Sequence, residues 1–444
     1  MKFYELTPQQ RRDFLEQEGY ATHNDARLLR LTPLLREYAA DGMIENQVGV
    51  MGIPIGLLMG LEMNEKIYNV PMATEEPSVI AGACAGAKIA RENGGVVSAL
   101  WPVRVIPADI VFRKVPISKQ EAYAKMVLSH KKDMIQVMKE KMPTLTRHNG
   151  GIEGVTCHSI HRGEFWKVRM WIWTGEAMGA NIANRLSEIE AKYLESLLGI
   201  KPLAAILSNA ELETVGSGVW IDPATLATGD EDGEQVAQKI VALSRWADLD
   251  DTRAVTHNKG IMNGVVACAL ANGNDTRAVE ASAHWFASRS GRYSPLARWE
   301  FAERNGKRVL QGKLTMPMPI GRIGFSIKTL GTPELCQRIL GAGDLWETQE
   351  VFAAVGLVQN LAALKSIATE GIVQGHVKLR SYNLARAAGA QGDEIDKVAD
   401  FMIHHPKRTV RQAEIMLSHL RAEKDKEGAP APEEDGGEEE EKDE

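Results

Sequence analysis

Cysteine is scarce in this chain and never close-spaced: Cys84, Cys157, Cys268 and Cys336 are far apart and form no CxxC pair. That excludes a disulfide framework and a thiolate metal site, and it fits a reduced, cytoplasmic setting. Met1 to Gly19 is charged and lacks the apolar stretch of a signal peptide. No apolar run reaches membrane-spanning length, so the sequence predicts a soluble protein without membrane contact. Internal repeats are absent, and so is the GxGxxG fingerprint of a Rossmann dinucleotide site. A large charge of one sign is missing from the body. The net charge is −7, but ten acids and one lysine between Glu427 and Glu444 account for −9 and leave +2 elsewhere. Such a body is no nucleic-acid footprint, although it tolerates phosphate-bearing small ligands.

With 444 residues, 44% of them hydrophobic, the chain is long enough for two or three domains with real cores. Thr7, Pro8 and Gly19 mark a capped opening helix. Met43 to Gly60, interrupted by glycines, reads as loop and close-packed strand. Val79 to Arg91, rich in small residues, predicts a tightly packed buried helix. Val103 to Val115 reads as strand, and Ser118-Lys119-Gln120-Glu121 as a capping box opening a basic helix towards Lys141. From Trp166 to Thr174 apolar residues alternate with Lys167, Arg169, Trp171 and Trp173, the period of a strand. A loop, Gly175 to Asn181, joins it to a helix with Leu186, Ile189, Tyr193 and Leu197 on one face. Mixed strand and helix signals within so short a stretch suggest a compact α+β insert. Ile395, Val398, Ala399 and Met402 form a later helical stripe, and Val410, Ala413, Leu417 and Leu420 another. The acidic tail after Lys426 cannot bury enough apolar surface to fold.

Several segments carry candidate chemistry. In Thr256-His257-Asn258-Lys259-Gly260, a lysine between Asn and Gly before an apolar helix suggests a cation fixed in a tight turn beside a positive helix end. Such a cation stabilises negative charge developing on a carbonyl oxygen; read alone, a surface loop lysine is the commoner meaning. Glu76, before Pro77 in a small-residue setting, suits a buried proton donor, with a helix N-terminal acid as the equal alternative. Asp275, in Asn272-Gly273-Asn274-Asp275, reads first as a cap. His376 follows Gly371 and Gly375 and suits transient protonation of a leaving thiolate, against a plain exposed histidine. The Gly175–Asn181 loop could offer backbone N–H groups to a pyrophosphate. Cys157 and His158, on a strand, point apart and are no metal pair with His161. Met316-Pro317-Met318-Pro319 reads as an extended core segment.

In the order they occur, Met43-Ile44-Glu45-Asn46-Gln47-Val48-Gly49, Glu75-Glu76-Pro77-Ser78, Gly175-Glu176-Ala177-Met178-Gly179-Ala180-Asn181, Thr256-His257-Asn258-Lys259-Gly260, Gly273-Asn274-Asp275 and Gly375-His376 resemble the motifs of HMG-CoA reductases. The likeness runs from about Leu31 to Leu420. With no membrane anchor, the chain is most similar to the soluble class II enzymes of bacteria and archaea.

The resemblance implies an α+β chain. Its large acyl-CoA-binding domain would span 1–102 and 209–372, and a small ferredoxin-like domain for the nicotinamide cofactor would be inserted at 103–208. A mobile helical flap at 373–426 and a disordered acidic tail at 427–444 would follow. It implies four-electron reduction of 3-hydroxy-3-methylglutaryl-CoA to mevalonate and CoA, or the reverse, in a homo-oligomer built from dimers with interfacial sites. Glu76, Lys259, Asp275 and His376 match the catalytic set. Ser78, Arg253, Asn263 and Gln359 match substrate contacts, and Glu176, Met178, Gly179 and Asn181 the cofactor loop. Glu176 stands where the family usually has Asp, and Gln47 where an apolar residue is usual. No metal is implied. The region Met142 to His148 holds Arg147 and no acid, which favours NADPH over NADH. A thioesterase or acyltransferase working without nicotinamide, and a non-catalytic CoA-binding protein, are the competing readings.

Overall fold

The structure is a computed structural model that describes residues 3, 6–28, 41–101, 105–211, 214–229, 231–369 and 371–427. The chain divides into two compact units, Met1–Thr369 and Glu370–Glu444.

The first unit opens with α1 (Pro8–Gln17), where the expected cap is present: Thr7 Oγ1 accepts the Gln10 N–H and Gln10 returns a bond to the Thr7 N–H. Helix α2 (His23–Leu28) follows, then an antiparallel hairpin of β1 (Ile55–Met63) and β2 (Lys66–Ala73), turned at Asn64 and Glu65 with positive φ at both. Helix α3 (Pro77–Glu92) confirms the small-residue reading: Ala83, Ala87 and Ala90 are fully buried. At Gly86 the backbone of another helix passes so close that a Cβ would overlap the Val358 carbonyl. Strand β3 (Val97–Leu100) ends this part.

Between Ile106 and Leu207 the chain builds a sheet and a hydrophobic core of its own. Its elements are β4 (Ile106–Arg113), α4 (Ile117–Ser129), α5 (Lys131–Lys141), α6 (Pro143–Arg147), β5 (Gly151–Ile160), β6 (Phe165–Trp173), α7 (Ala180–Leu198) and β7 (Ala204–Leu207). The strands pair antiparallel in the order β5-β6-β4-β7, the split βαβ arrangement. Period two in β6 is realised: Trp166, Val168, Met170 and Ile172 are buried and their alternates half-buried. In α7 the fully buried face is Ala183, Leu186, Glu190 and Leu194, while Ile189, Tyr193 and Leu197 flank the core half-buried. On β5, Cys157 packs on the core and His158 is exposed.

One expectation fails here. Ser118 does not open a capping box, because α4 starts at Ile117 with Pro116 as its uncapped N-cap. Gln120 instead turns back and donates to the Val115 carbonyl at 2.9 Å. The basic stretch is also two helices, broken at His130, whose ring bonds back to the Met126 carbonyl.

The chain then continues through β8 (Val215–Ile221), α8 (Gly233–Leu249), α9 (Asp251–Ala271), α10 (Thr276–Ser288), β9 (Ala297–Arg304), β10 (Lys307–Met316), α11 (Phe325–Leu330), α12 (Thr332–Leu340) and α13 (Leu345–Ala368). Strands β3, β8, β10 and β9 form an antiparallel sheet. Among the described residues α13 alone is long and apolar enough to cross a bilayer, but it is the central helix of this core, with Val351 to Leu361 buried throughout. Met316 to Ile320 is buried after β10, as its sequence predicts.

The second unit contains α14 (Ile372–Ala387), α15 (Asp393–His404) and α16 (Val410–Glu427). Val398, Ala399 and Met402 meet Ala413 and Leu417 in a small core flanked by Ile395 and Leu420. Both predicted stripes are thus present, except that Val410 is exposed.

Candidate active site

Helix α9 carries three of the candidate residues. It is started by Asp250, whose carboxylate accepts the Thr252 and Arg253 N–H groups. Lys259 therefore lies in the middle of a 21-residue helix and not in a turn. The tight-turn expectation is wrong, and no helix end assists this lysine. The two residues before it are the buried anchors. His257 Nε2 donates to the Ala297 carbonyl (3.1 Å), and Asn258 bonds the Ser294 carbonyl (3.0 Å) and the Leu296 N–H (2.8 Å). Burial and the nearby Arg253 charge push the His257 imidazole down to about 4, so it is neutral at pH 7. With that side of the helix tied down, Lys259 is left exposed, and Asn263, one turn on, shares its face. Arg253 is half-buried, its guanidinium 5.5 Å from the centre of the Trp246 ring.

Glu76 is the N-cap of α3 and is half-buried. Its carboxylate accepts the Ser78 hydroxyl at 2.9 Å and the Ser78 N–H at 3.4 Å, so an acid and a substrate candidate are in contact. Gln359, on α13, is buried against Gly82 of α3 and Gly264 of α9. Its Oε1 has no hydrogen-bond partner among the described residues. The helices bearing Ser78, Asn263 and Gln359 converge around that side chain.

Asp275 caps α10, accepting the Arg277 and Ala278 N–H groups and the Arg277 Nε at 2.9 Å. The Arg277 guanidinium beside it holds its carboxyl below the usual carboxylate range. The capping reading of Asp275 is borne out. Among the described residues, no hydrogen bond or ion pair joins Glu76, Lys259 and Asp275. His376 falls within α14, and its side chain lies outside the described residues.

The loop after β6 leads into α7 through Gly179, at φ +95°, where a side chain would overlap Thr174 and Ile106. Among the described residues no side chain caps α7, whose N-cap is Gly179, so its first-turn N–H groups have no side-chain acceptor there. Asn181 and Glu176 are exposed and Met178 is half-buried. Thr174 Oγ1 holds the Ala177 carbonyl at 3.0 Å. Arg147, at the end of α6, is exposed and donates to Thr144 Oγ1. The carbonyl of the next residue, His148, is 3.7 Å from where a Gly175 Cβ would be, so α6 borders the loop.

Two residues outside the sequence-predicted set complete the geometry. The Arg322 N–H donates to the Glu176 carbonyl at 2.9 Å, and the Gly321 N–H to Asn274 Oδ1 at 2.7 Å. The loop of Glu176 and the turn of Asp275 thus meet across Gly321-Arg322. The available signal was Asn274, inside a quoted motif; nothing local marks Arg322.

Comparison with known proteins identifies the family. The Hydroxymethylglutaryl-coenzyme A reductase family model matches residues 7–381. The chain is similar to a 3-hydroxy-3-methylglutaryl-coenzyme A reductase of Archaeoglobus fulgidus, 36% identical over 391 residues and 86% of each chain. A probable reductase of Borreliella burgdorferi is 34% identical over 76% of each. Among solved structures, the Streptococcus pneumoniae reductase superimposes with a TM-score of 0.78 at 32% identity, covering 94% of this chain and 99% of that one. A class II reductase from the same organism, bound to NADPH, superimposes at 0.77 with 31% identity, over 83% and 99%. The chain belongs to the hydroxymethylglutaryl-coenzyme A reductase family, in its class II branch, and is an oxidoreductase that reduces 3-hydroxy-3-methylglutaryl-CoA in the mevalonate pathway.

Proposed function

We propose that this chain converts HMG-CoA to mevalonate and CoA with two NADPH, on a site made by α3, α9, α13 and the two loops joined at Gly321-Arg322. That junction is the observation that carries the reading, because it brings the Glu176 loop beside the turn of Asp275. The residues fit a dinucleotide. The uncapped first turn of α7 suits a pyrophosphate, and Arg147 on the bordering helix suits a 2′-phosphate. The same reaction run backwards oxidises mevalonate.

A reduced nicotinamide, when bound, supplies one hydride in each of two rounds. Lys259, exposed and unpaired with any acid among the described residues, stabilises the oxyanion formed at the thioester carbonyl. His376 protonates the departing CoA thiolate. Glu76 donates the proton to the aldehyde oxygen, and Ser78, already bonded to it, sets its direction. Arg253 holds the substrate carboxylate, Asn263 and the unpaired Gln359 Oε1 bind its polar groups, and Asp275 tunes Lys259 and Glu76 in the closed site.

Residues 1–102 and 209–372 form the acyl-CoA domain, 103–208 the ferredoxin-like cofactor domain and 373–426 the flap in this proposal; of the acidic tail, Glu427 ends α16 and 428–444 lie outside the described residues. The separate core between Ile106 and Leu207 supports the insert. A dimer with interfacial sites is supported by exposed Ile44, Val48, Val50 and Met51 in and beside the first motif, an apolar stretch suited to a second copy. Free cysteines support a cytoplasmic location.

Mixing the protein with HMG-CoA while following NADPH and NADH oxidation tests the reading. Two cofactors consumed per CoA released, lost by at least about 100-fold in Lys259→Ala, is the expected result. CoA release without oxidation would sink it in favour of a thioesterase.

A further inference from the structure

Gly321, Arg322 and Ile323 touch both halves of the proposed site in three consecutive residues. Gly321 donates its N–H to Asn274 Oδ1 at 2.7 Å, and Arg322 donates its own to the Glu176 carbonyl at 2.9 Å. Ile323 extends the contact as a parallel bridge to Ala177. The segment is fixed from behind as well. Arg322 Nη1 donates to the Gly343 carbonyl at 2.6 Å, and the Arg322 carbonyl accepts from Gln337 Nε2 at 3.1 Å. The Arg322 guanidinium is only 22% exposed and lies 3.9 Å from the Glu176 carboxylate. At Gly321 the fit leaves no room for a side chain, since a Cβ would overlap the Met178 backbone nitrogen.

Asn274 is itself held. Its N–H donates to the Ala269 carbonyl at the end of α9, and its neighbour Asp275 begins α10. A rigid turn therefore grips one end of the segment while the other end grips the loop. Within the loop, Thr174 Oγ1 also holds the Ala177 carbonyl at 3.0 Å, and Glu176 is exposed.

We infer that Asn274 and Arg322 are positioning residues that strap the Glu176–Met178 loop to the Asp275 turn and set that loop for the cofactor. The inference rests on the proposed assignment of the loop to NADPH. Neither side chain touches the reacting atoms; both act through the loop. Cutting the strap weakens NADPH binding and leaves HMG-CoA, held by α3, α9 and α13, largely unaffected.

The test uses the full-length protein. NADPH affinity is read directly by fluorescence titration without HMG-CoA, and KM for each substrate is then measured separately. Asn274→Ala and Arg322→Met are each expected to raise the NADPH dissociation constant about tenfold, equivalent to about 1.4 kcal/mol, with KM for HMG-CoA changed less than twofold. Arg322→Met leaves the backbone N–H bond to Glu176 in place and acts by releasing the segment from the Gly343 carbonyl and the guanidinium from the Glu176 carboxylate. The double variant is expected to be no weaker than about the worse single one, because the two side chains hold the same segment. Asn274→Asp keeps an acceptor oxygen facing Gly321 and is expected to recover most of the affinity. It also serves where the alanine variant does not fold: an affinity within threefold of the parent supports the strap, and a tenfold loss refutes it. Unchanged NADPH binding in folded Asn274→Ala and Arg322→Met, or equal losses for both substrates, overturns the inference. Glu176→Ala is the control. If it too leaves NADPH binding untouched, the cofactor assignment of the loop falls; if it weakens binding while the strap variants do not, only the strap falls.

Discussion

Glu190 makes the stability of the insert sensitive to alkali. It sits on α7 with no exposed surface, and neither carboxyl oxygen has a hydrogen-bond partner among the described residues. Burial raises its pKa to about 8. Its titratable neighbour is Tyr193, one turn on, whose hydroxyl donates to Asp133 on α5. An acid whose folded pKa lies above its unfolded value of roughly 4.3 keeps its proton in the native state and loses it on unfolding. Stability therefore falls as pH rises between those two values and levels off above the higher one. The full penalty is about 5 kcal/mol, at about 1.4 kcal/mol per pH unit, of which roughly 2 kcal/mol is lost between pH 6 and pH 8. Glu190→Gln keeps the shape and removes the titration. Denaturant unfolding followed by tryptophan fluorescence is suitable, because Trp166, Trp171 and Trp173 all lie in the same sheet. The variant should be little different from the parent at pH 5 and clearly more stable at pH 8. A stability difference that stays constant from pH 6 to pH 8 would show that Glu190 is solvated or paired, and the argument would fail.

His257 acts in the opposite direction. Its folded pKa of about 4 lies below the unfolded value, so its stabilising share is complete above about pH 6.5 and is lost as pH falls towards 4, a loss of about 3 kcal/mol; urea midpoints of the parent and His257→Gln should converge or cross over that acid range. Gly86→Ala forces a Cβ against the Val358 backbone and should cost roughly 3 kcal/mol, the upper part of the overpacking range, read as a lowered melting temperature. Arg147→Asp should shift the ratio of kcat/KM for NADPH over NADH towards NADH by at least about tenfold; an unchanged ratio would place the 2′-phosphate elsewhere. Lys259→Met should abolish turnover while moving stability by less than about 0.5 kcal/mol, since the side chain is exposed.

Elements governed by local rules were legible in the sequence. The Thr7 cap, the alternation of β6 and the small-residue face of α3 each follow from neighbours within a few residues, and the structure has all three. Lys259 was misread because Asn and Gly flank it, and both favour turns. The deciding facts were elsewhere. Asp250 starts the helix nine positions earlier, the Ser294–Ala297 segment anchors His257 and Asn258, and α13 packs closely enough that Gly264 fits where a larger residue would crowd Val355 and Gln359. Ser118 was misread for a related reason: Pro116 sets the chain into α4 one residue before the serine could act as cap. At the site, the motifs located the residues but not their partners. Asp275 pairs with Arg277 within one helix start, but that Asn274 reaches Gly321 depends on how turns far apart in sequence come together.

The two halves of the site are held by different physics, and the reaction gives a reason. On the proposed roles, the substrate residues sit on α3, α9 and α13, which interlock through glycine contacts with almost no freedom to move independently. The cofactor loop is attached instead by polar bonds to Arg322 and Thr174 and by close packing on Gly321. Reducing a thioester to an alcohol takes two hydrides, so the spent nicotinamide must leave and a fresh one enter while the half-reduced substrate stays in place. A dry, close-packed scaffold suits the partner that remains. A loop tied by separable hydrogen bonds, each contributing about 1 kcal/mol, suits the partner that is exchanged. Weakening the strap should therefore loosen the nicotinamide without releasing the aldehyde. Trapping with an added aldehyde reagent during turnover of Asn274→Ala distinguishes the two: unchanged escape of aldehyde supports this division of labour, and a large increase would mean that the strap holds the substrate as well.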